Sequence, residues 1–441
     1  MQMIIVFWWL VIIASAFRAK DIFITTFVMS QFLFVGLGLF LFSIVPSTYL
    51  KDTFSDFNFT QIRTSDFNNG SIYLLTGITA SLLVFFALRM QTTRIKITAV
   101  RCTSKVNTTR FLGLAAAALI VSLYFIQENV GSFYYLVVAE QSEALADALG
   151  LRTSAVSNYF ITLMIYNFCP AIAIIAIAWV REFKRSKLQR VLVAALIFTA
   201  IMALLLTFQK RPLIVFLFAI LLIIKTRDKF YKDTVEPLAI FNEFIRHSFK
   251  YLLLLLLILF GLYFIYTGFR FSQSGILETS SSILEIIGTR VIGRLSIPAA
   301  FYANYFPDFQ NHYWFSNVGL LSSIFGSRLF LDTSVVFSNY SYSNLDGSVA
   351  ASVFADAYGQ GGLVWVSLVG AFIGCILFSF RQVMKKANVG ASKLIFMTFV
   401  VMYIYYLSQA SLFRASLGYG GLIWLVIWIF ITKKNNRNVS I

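Results

Sequence analysis

The chain has 441 residues, of which 59% are hydrophobic and only 12% are charged, and its mean hydropathy is +0.79. Several apolar runs reach the roughly 17 to 25 residues that a helix needs to cross the core of a bilayer. This composition excludes an ordinary soluble protein, and the unbroken apolar runs exclude a β-barrel, whose strands alternate apolar and polar residues. The two histidines and three cysteines show no spacing typical of a metal site or of a disulfide framework.

The apolar runs predict an all-α polytopic membrane protein. The first run, 1–17, lacks the basic n-region of a cleavable signal peptide, so we interpret it as a retained first helix. Residues 1–266 contain the first eight predicted helices, 267–362 form a large loop, and 363–441 contain the last three helices and a tail. The eleven predicted spans lie near 2–17, 22–46, 72–88, 111–126, 159–180, 191–208, 211–224, 251–266, 363–380, 394–411 and 420–432.

The positive charges predict how these helices are oriented. With the tail KKNNRN (433–438) in the cytoplasm, the cytoplasmic segments hold 26 of the 36 Lys and Arg residues but only 6 of the 19 acidic residues. Cytoplasmic loops of membrane proteins collect Lys and Arg. The net charge of +17 therefore indicates membrane orientation rather than nucleic-acid binding, and the large loop over 267–362 is predicted to face outward.

The pair Lys210-Arg211 stands between two apolar runs with almost no loop around it. The basic segments 181–190 and 225–233 on either side both favour the cytoplasm. Two membrane passes must lie between them, so the pair is predicted at the tip of a tight hairpin on the outer face. Eight of the ten outer basic residues are Arg, which binds phosphate or carboxylate bidentately. The alternative is that these arginines simply extend to the membrane interface.

The outer loop over 267–362 is far longer than a connection requires, and long ordered loops are usually functional. Ser282 and Glu285 match a capping box and predict the start of a helix. Pro298 is predicted to end or kink that helix, because proline lacks the backbone N–H that a helix interior uses.

Arginines of this loop are candidates for binding an anion. Arg290 and Arg294 stand four residues apart on the predicted helix, where like charges repel unless a negative group lies between them. That group is either a carboxylate of the chain, Glu285 or Asp308, in a structural ion pair, or a bound diphosphate. Arg270, at the membrane exit of the eighth predicted helix, would converge on the same place.

Two residues of the loop are candidate proton acceptors. His312 lies in QNHYWF (310–315), beside aromatic residues that suit either stacking on sugar rings or a membrane interface. A lone histidine is more often structural, so that alternative stays open. Asp356 precedes the glycine-rich turn in FADAYGQGGLVWVSL (354–368). Such a turn before a helix exposes amide groups that bind anions, or it simply permits tight re-entry of the helix.

Many spans, an outer hairpin bearing Arg, a large loop with paired Arg and a D-x-Y-G-x-x-G closure (356–362) together resemble the Wzy-type repeat-unit polymerases of O-antigen and capsule synthesis, relatives of the O-antigen ligases. The resemblance implies a C-type glycosyltransferase-like fold that works without metal, cofactor or nucleotide sugar. It implies oligosaccharides on undecaprenyl diphosphate as substrates, joined at the outer face of the bacterial inner membrane. A chain-length regulator and a flippase are the partners it suggests.

The resemblance also assigns roles to residues. His312 is implied as the general base, as a loop histidine is in the ligases, and Asp356 is its competitor. Diphosphate binding is implied for Arg211, Arg290, Arg294 and Arg270. The hairpin reads QKRP (209–212), whereas small residues often flank this arginine in the family.

Other functions remain open at this stage. The first alternative is an O-antigen ligase or another lipid-linked glycosyltransferase, and the second is a polysaccharide transporter or flippase. Ion-coupled transporters usually carry ionisable residues near the membrane midplane. Near the midplane, the predicted spans of this chain contain only neutral polar residues such as Asn167 and Gln409.

Overall fold

The computed structural model describes residues 1–44, 62–94, 103–132, 159–182, 187–207, 210–230, 293–308, 311–312, 352–386 and 390–435. Its regular structure is helical apart from one short pair of strands. Within these residues, six helices are long and apolar enough to cross a membrane: Ile22–Ile44, Thr64–Thr92, Thr108–Asn129, Phe160–Val180, Lys187–Leu206 and Val353–Lys385. This confirms the prediction of an all-α membrane protein with several spans.

Four further predicted spans coincide with shorter apolar helices, namely Gln2–Arg18, Pro212–Ile224, Ala391–Leu407 and Gly421–Ile431. The predicted span near 251–266 lies outside the described residues. A total of eleven spans therefore stays a prediction.

The helices are numbered in chain order, and π-helical turns at Phe32–Gly36, Met164–Phe168 and Arg414–Gly418 interrupt or precede some of them. They are α1 (Gln2–Ala19), α2 (Ile22–Gln31), α3 (Leu37–Ile44), α4 (Thr64–Arg94), α5 (Thr108–Asn129), α6 (Tyr159–Leu163), α7 (Cys169–Glu182), α8 (Lys187–Leu206), α9 (Lys210–Phe230), α10 (Arg294–Tyr305), α11 (Val353–Lys386), α12 (Ala391–Leu407) and α13 (Gly421–Ile431). The strands are β1 (Thr103–Val106) and β2 (Thr432–Asn435).

The chain forms two compact units. Unit 1 comprises Met1–Thr98, Glu285–Gln382 and Tyr403–Ala415, and unit 2 comprises Ala99–Leu284, Val383–Met402 and Ser416–Ile441. This division cuts across the three sequence segments 1–266, 267–362 and 363–441. Large apolar side chains such as Phe7, Leu123, Phe198 and Ile429 are exposed, which is expected of helices that face lipid rather than water.

Polar contacts join three chain segments at one end of unit 1. Asp21 caps α2 by accepting hydrogen bonds from the N–H groups of Phe23 and Ile24, and it pairs with the Nε of Arg381 at 3.0 Å. Burial raises the pKa of the Asp21 carboxyl, while Arg381 and the two N–H groups act in the opposite direction. Arg89 donates to the carbonyl oxygen of Ala19 at 2.7 Å. The charge pattern predicts all three segments, those that contain Asp21, Arg89 and Arg381, on the cytoplasmic side of the membrane.

A corresponding contact joins two segments of unit 2. β1 and β2 pair antiparallel, with Thr103 opposite Asn435. Beside them, Arg110 donates to the carbonyl oxygen of Phe430 at 2.8 Å, and its guanidinium carbon lies 5.1 Å from the centre of the Phe430 ring, a cation–π contact. The segment before α5 and the tail after α13, both predicted on one side of the membrane, therefore meet.

Part of the predicted outer loop packs inside unit 1 as α10. Every residue from Ser296 to Phe306 is buried, and the helix contacts α3 and α4. Ala299 approaches Gly70, and Asn304 donates to Asp66 at 2.9 Å, so α10 runs antiparallel to α4. Pro298 lies inside α10, so it does not end the helix, and the other half of the prediction, a kink at Pro298, stays a prediction.

Small residues let α4 and α11 pack closely. A Cβ added to Gly370 would collide with the carbonyl oxygen of Gly77, and one added to Gly374 would come within 2.5 Å of that of Ser81. Close backbone approach through small residues is a common way for membrane helices to associate.

We therefore expect Gly370→Ala to destabilise the protein by about 1–3 kcal/mol, the usual cost of overpacking a well-packed interior. The measurement is thermal unfolding of the purified protein in detergent. Gly113→Ala on α5 is the matched control, because nothing lies within 4 Å of its added Cβ. Equal melting temperatures for the two variants would contradict the close packing of α4 and α11.

Candidate functional site

The structure places the predicted site residues to different extents. His312 and Asp356 are described with their side chains. Arg211 is the second residue of α9 and Arg294 is the first residue of α10. Arg270 and Arg290 lie outside the described residues. Side-chain contacts are therefore available for His312 and Asp356, the two candidate proton acceptors, and they define this part of the predicted site.

The predicted glycine-rich turn is a break within α11. Gly361 has φ −167° and ψ 31°, and Gly362 has φ 63° and ψ −155°. The second pair of angles is essentially restricted to glycine, because a Cβ would clash with the backbone. The break ends a first helix over 353–360 and starts a second at 363. The first N–H groups of the second helix therefore have no intrahelical partner.

His312 lies against this break, although it is fifty residues earlier in the sequence. Its Nε2 would be 3.1 Å from a Cβ placed on Gly362. Its ring stacks on Phe306, with centroids 5.9 Å apart and an interplanar angle of 14°, and meets the ring of Tyr358 edge-on at 5.6 Å. The Nδ1 is buried and has no hydrogen-bond partner within the described structure. Aromatic contacts thus hold the ring, while no described residue hydrogen-bonds to this nitrogen.

Tyrosines fix the elements around His312. Tyr73 of α4 stacks on Tyr358 of α11, with centroids 4.8 Å apart, and its hydroxyl donates to the carbonyl oxygen of Ala299 in α10 at 2.8 Å. The Tyr358 hydroxyl donates to the carbonyl oxygen of Phe306 at 3.4 Å. Because α4, α10 and α11 are joined here by buried contacts, the ring of His312 has a defined position.

Asp356 has different surroundings from His312. It lies in the first turn of the helix over 353–360, where the Oγ of Ser352 accepts from the N–H of Ala355 at 3.2 Å. A carboxylate is favourable there because the helix dipole is positive at this end. Arg414 is a charged residue that acts on it electrostatically. Since Asp356 is two residues before Tyr358, the two side chains do not share a helix face.

A polar cluster that sequence reasoning missed lies at the start of α4. The Oδ2 of Asp66 accepts from the N–H of Arg63 at 2.7 Å and from the side-chain amide of Asn304 at 2.9 Å. The first bond is half of a capping box, in which the third helical residue binds back to the N-cap N–H. In the sequence, only Asp66 gave any indication of this cluster, because it is an acidic residue in the first turn of a helix. Nothing in the sequence around Asn304 indicated its contact with α4.

No known protein family, curated protein or solved structure matches this chain. The chemistry open to this protein therefore has to follow from the residues of the candidate site. An imidazole whose buried Nδ1 has no partner among the described residues lies beside a helix start in the Gly361–Gly362 break. A carboxylate lies one to two turns before that break. A ring nitrogen in such a position can take up a proton, and free N–H groups at a helix start can bind an anionic oxygen.

Proposed function

We propose that this protein is a metal-independent membrane glycosyltransferase. It joins oligosaccharide repeat units carried on undecaprenyl diphosphate into O-antigen or capsular polysaccharide, at the outer face of the bacterial inner membrane. The observation that carries the proposal is the contact of His312 with Tyr358 and Gly362, two residues of the D-x-Y-G-x-x-G motif. Two features that suggested the function separately in the sequence therefore meet in space.

The reaction requires a base and a stabiliser of negative charge. The oxygen of an acceptor sugar hydroxyl attacks the anomeric carbon of the donor and forms the new glycosidic bond, while the bond from that carbon to the diphosphate oxygen breaks. The hydroxyl proton passes to the base, for which His312 is the first candidate. The leaving diphosphate retains the bonding electron pair, and fixed positive groups stabilise the developing charge by about 3–4 kcal/mol for each good donor.

The positions of the described arginines support anion binding. Lys210 and Arg211 occupy the first turn of α9, and Arg294 is the first residue of α10. Neither first turn contains an acidic residue. Basic residues are unfavourable at a helix N-terminus, where the dipole is already positive, unless an anion binds there. The start of α9, which carries two basic residues and no acidic one in its first turn, is consistent with binding of phosphate groups.

A flippase or transporter of lipid-linked polysaccharide units is the second candidate, and one observation favours it. α13 has 11 residues, about 16 Å in length, which is half of the bilayer core. Its N-cap residue is Gly420, which has φ 75° and lies against the buried side chain of Asn167. Unusually short apolar helices next to glycine are a feature of transporter binding sites.

Deletion of the gene separates these functions. A strain without the polymerase is expected to keep single repeat units on its surface glycolipid and to lose the ladder of longer chains on a gel. Loss of both the single units and the ladder would indicate a ligase or a flippase instead. Intracellular accumulation of lipid-linked units would then identify the flippase. The control is complementation with the wild-type gene, and an unchanged ladder in the deletion strain would contradict every function named here.

A further inference from the structure

Three chain segments at one end of unit 1 carry an excess of positive charge. They are the corner between α1 and α2, the end of α4 and the part of α11 around Arg381. The segments 15–24, 85–94 and 378–382 contain five basic residues but only one acidic residue, Asp21. Charged groups that are partly removed from water are normally paired with an opposite charge. The excess of basic residues at this corner therefore requires an explanation.

Arg89 and Arg381 lie beside each other on α4 and α11. The two helices run in the same direction, as the close contacts through their small residues show. Further along, Phe85 meets Phe378 with ring centroids 6.2 Å apart. Arg89 follows Phe85 by four residues and Arg381 follows Phe378 by three, so each arginine lies one turn beyond this contact on the same helix face. Arg89 accordingly acts electrostatically on Arg381.

Asp21 neutralises only one of these two arginines. Its Oδ1 accepts from the N–H groups at the start of α2, and its Oδ2 lies 3.0 Å from the Nε of Arg381. Arg89 donates instead to the carbonyl oxygen of Ala19, which carries no net charge. These two groups are the acceptors for both guanidinium groups among the described residues. One positive charge therefore stays in a half-buried position with no described counter-charge.

A lipid-facing surface borders the same corner. Leu83 and Met90 of α4 are 65% and 63% exposed, and they share one helix face, seven residues apart. Exposed apolar side chains on a membrane helix lie against acyl chains. Lys20, which is exposed and has φ 50° at the end of α1, adds a further positive charge to the corner. The corner thus offers basic groups next to an apolar surface, which match the two parts of an anionic phospholipid.

We propose that Arg89, Arg381 and Lys20 bind the phosphate of an anionic phospholipid at the predicted cytoplasmic surface of the membrane. The terminal N–H groups of the guanidinium forks donate to the phosphate oxygens, and the acyl chains lie along Leu83 and Met90. Arginine suits this role because its planar fork binds phosphate bidentately. Basic pockets between membrane helices on the cytoplasmic side are typical positions for anionic headgroups. The lipid goes beyond the proposed function and does not depend on it.

Titration of the purified full-length protein in detergent with short-chain phosphatidylglycerol tests the proposal, with zwitterionic phosphatidylcholine as the comparison lipid. Dissociation constants are measured by native mass spectrometry. Arg89→Gln is expected to weaken phosphatidylglycerol binding about 5- to 50-fold, because it removes a charged donor to the phosphate. Arg63→Gln is the matched control, since it removes the same charge at the opposite end of α4, where Arg63 is exposed. It is expected to bind as the wild type does.

Two further variants separate lipid binding from packing. Lys20→Asn keeps a residue type that tolerates the left-handed conformation and is expected to weaken binding even if Arg89→Gln fails to fold. Asp21→Asn removes the carboxylate that competes with phosphate for Arg381. It is therefore expected to tighten phosphatidylglycerol binding, although loss of the buried ion pair lowers the melting temperature. A cluster that only stabilises the fold would lower the melting temperature without changing the affinity for the lipid.

Three results would overturn the proposal. The first is equal affinity of the wild type for the two lipids, and the second is wild-type affinity for phosphatidylglycerol in both Arg89→Gln and Lys20→Asn. The third is displacement of the lipid by inorganic phosphate at a similar concentration, which would assign the corner to free anions instead. These measurements do not require polymerisation, so their outcome is separate from that of the gene deletion.

Discussion

Replacing His312 with alanine is expected to lower the rate of polymerisation about 10²- to 10⁴-fold, the usual contribution of a positioned general base. The amount of protein in the membrane is expected to stay the same, because His312 is only half-buried and makes ring contacts rather than hydrogen bonds. The measurement is the initial rate of chain extension by the purified enzyme on lipid-linked repeat units. Binding of the lipid-linked substrate is expected to survive, since the base acts on the acceptor hydroxyl.

His312→Phe distinguishes a base from a packing residue. Phenylalanine preserves an aromatic ring against Phe306 and Tyr358 but has no nitrogen. If His312 only packs, the phenylalanine variant would polymerise at nearly the wild-type rate, and that result would contradict the assignment. Asp356→Asn is measured in parallel, because a larger loss there would move the role of base to Asp356.

A substitution at Gly362 provides a second test of the role of His312. A Cβ on Gly362 lies 3.1 Å from the Nε2 of His312, and the φ of 63° is unfavourable for any other residue. Gly362→Ala should therefore displace the imidazole and lower the rate in the wild-type background. In the His312→Ala background it should add little, because two changes that act on one group are not additive. A full additional loss would show that the turn acts independently of His312.

Much of the helical structure could be predicted from hydropathy alone. The span predicted at 72–88 is the apolar middle of α4, which extends over Thr64–Arg94. The first turns of α4 are polar, with the sequence TSDFNNG (64–70), and are stabilised by the contact of Asp66 with Asn304. Hydropathy detects the part of a helix that crosses lipid. It does not detect the turns that hydrogen-bond to another chain segment.

The burial of α10 was missed for a related reason. The sequence from Ile297 to Tyr305 is apolar on nearly all sides of a helix, a pattern that indicates burial in the interior. Its position within a long predicted loop, together with Pro298, argued instead for a helix of the outer loop that ends or kinks at the proline. The predicted start near Ser282 lies outside the described residues.

The contacts that define the candidate site connect residues far apart in the sequence. His312 meets Gly362 and Phe306, and Tyr73 meets Ala299. The residue types at the glycine turn could be recognised as a motif, but no periodicity specifies which distant side chain packs against them.

Replacing Arg294 with alanine is expected to lower polymerisation about 10²- to 10³-fold, the loss seen when one donor to a developing negative charge is removed. Arg294 is the first residue of α10 and is one of the arginines to which the proposed function assigns diphosphate binding. Arg290→Ala and Arg211→Ala are expected to act in the same direction, since the proposed function assigns diphosphate binding to both residues. Rates are measured with purified lipid-linked repeat units.

Lysine variants and a structural arginine provide the controls. Arg294→Lys keeps the charge but loses the planar fork, so it should also lower the rate, though less than alanine does. Arg110 is the matched arginine, because its described partners are the carbonyl oxygen and the ring of Phe430. Arg110→Lys should lower the melting temperature without changing the rate of polymerisation per folded enzyme. Normal polymerisation by both Arg290→Lys and Arg294→Lys would show that these arginines are structural.

The kinetic constants of Arg294→Lys show at which stage the arginine acts. If it binds the diphosphate equally in the ground state and the transition state, KM rises and kcat stays the same. If it stabilises charge that develops only as the sugar leaves, kcat falls and KM changes little. We expect a fall in kcat, because the negative charge on the leaving diphosphate grows as its bond to the anomeric carbon breaks. A rise in KM alone would assign Arg294 to substrate binding and leave the stabilisation of the leaving group to other residues.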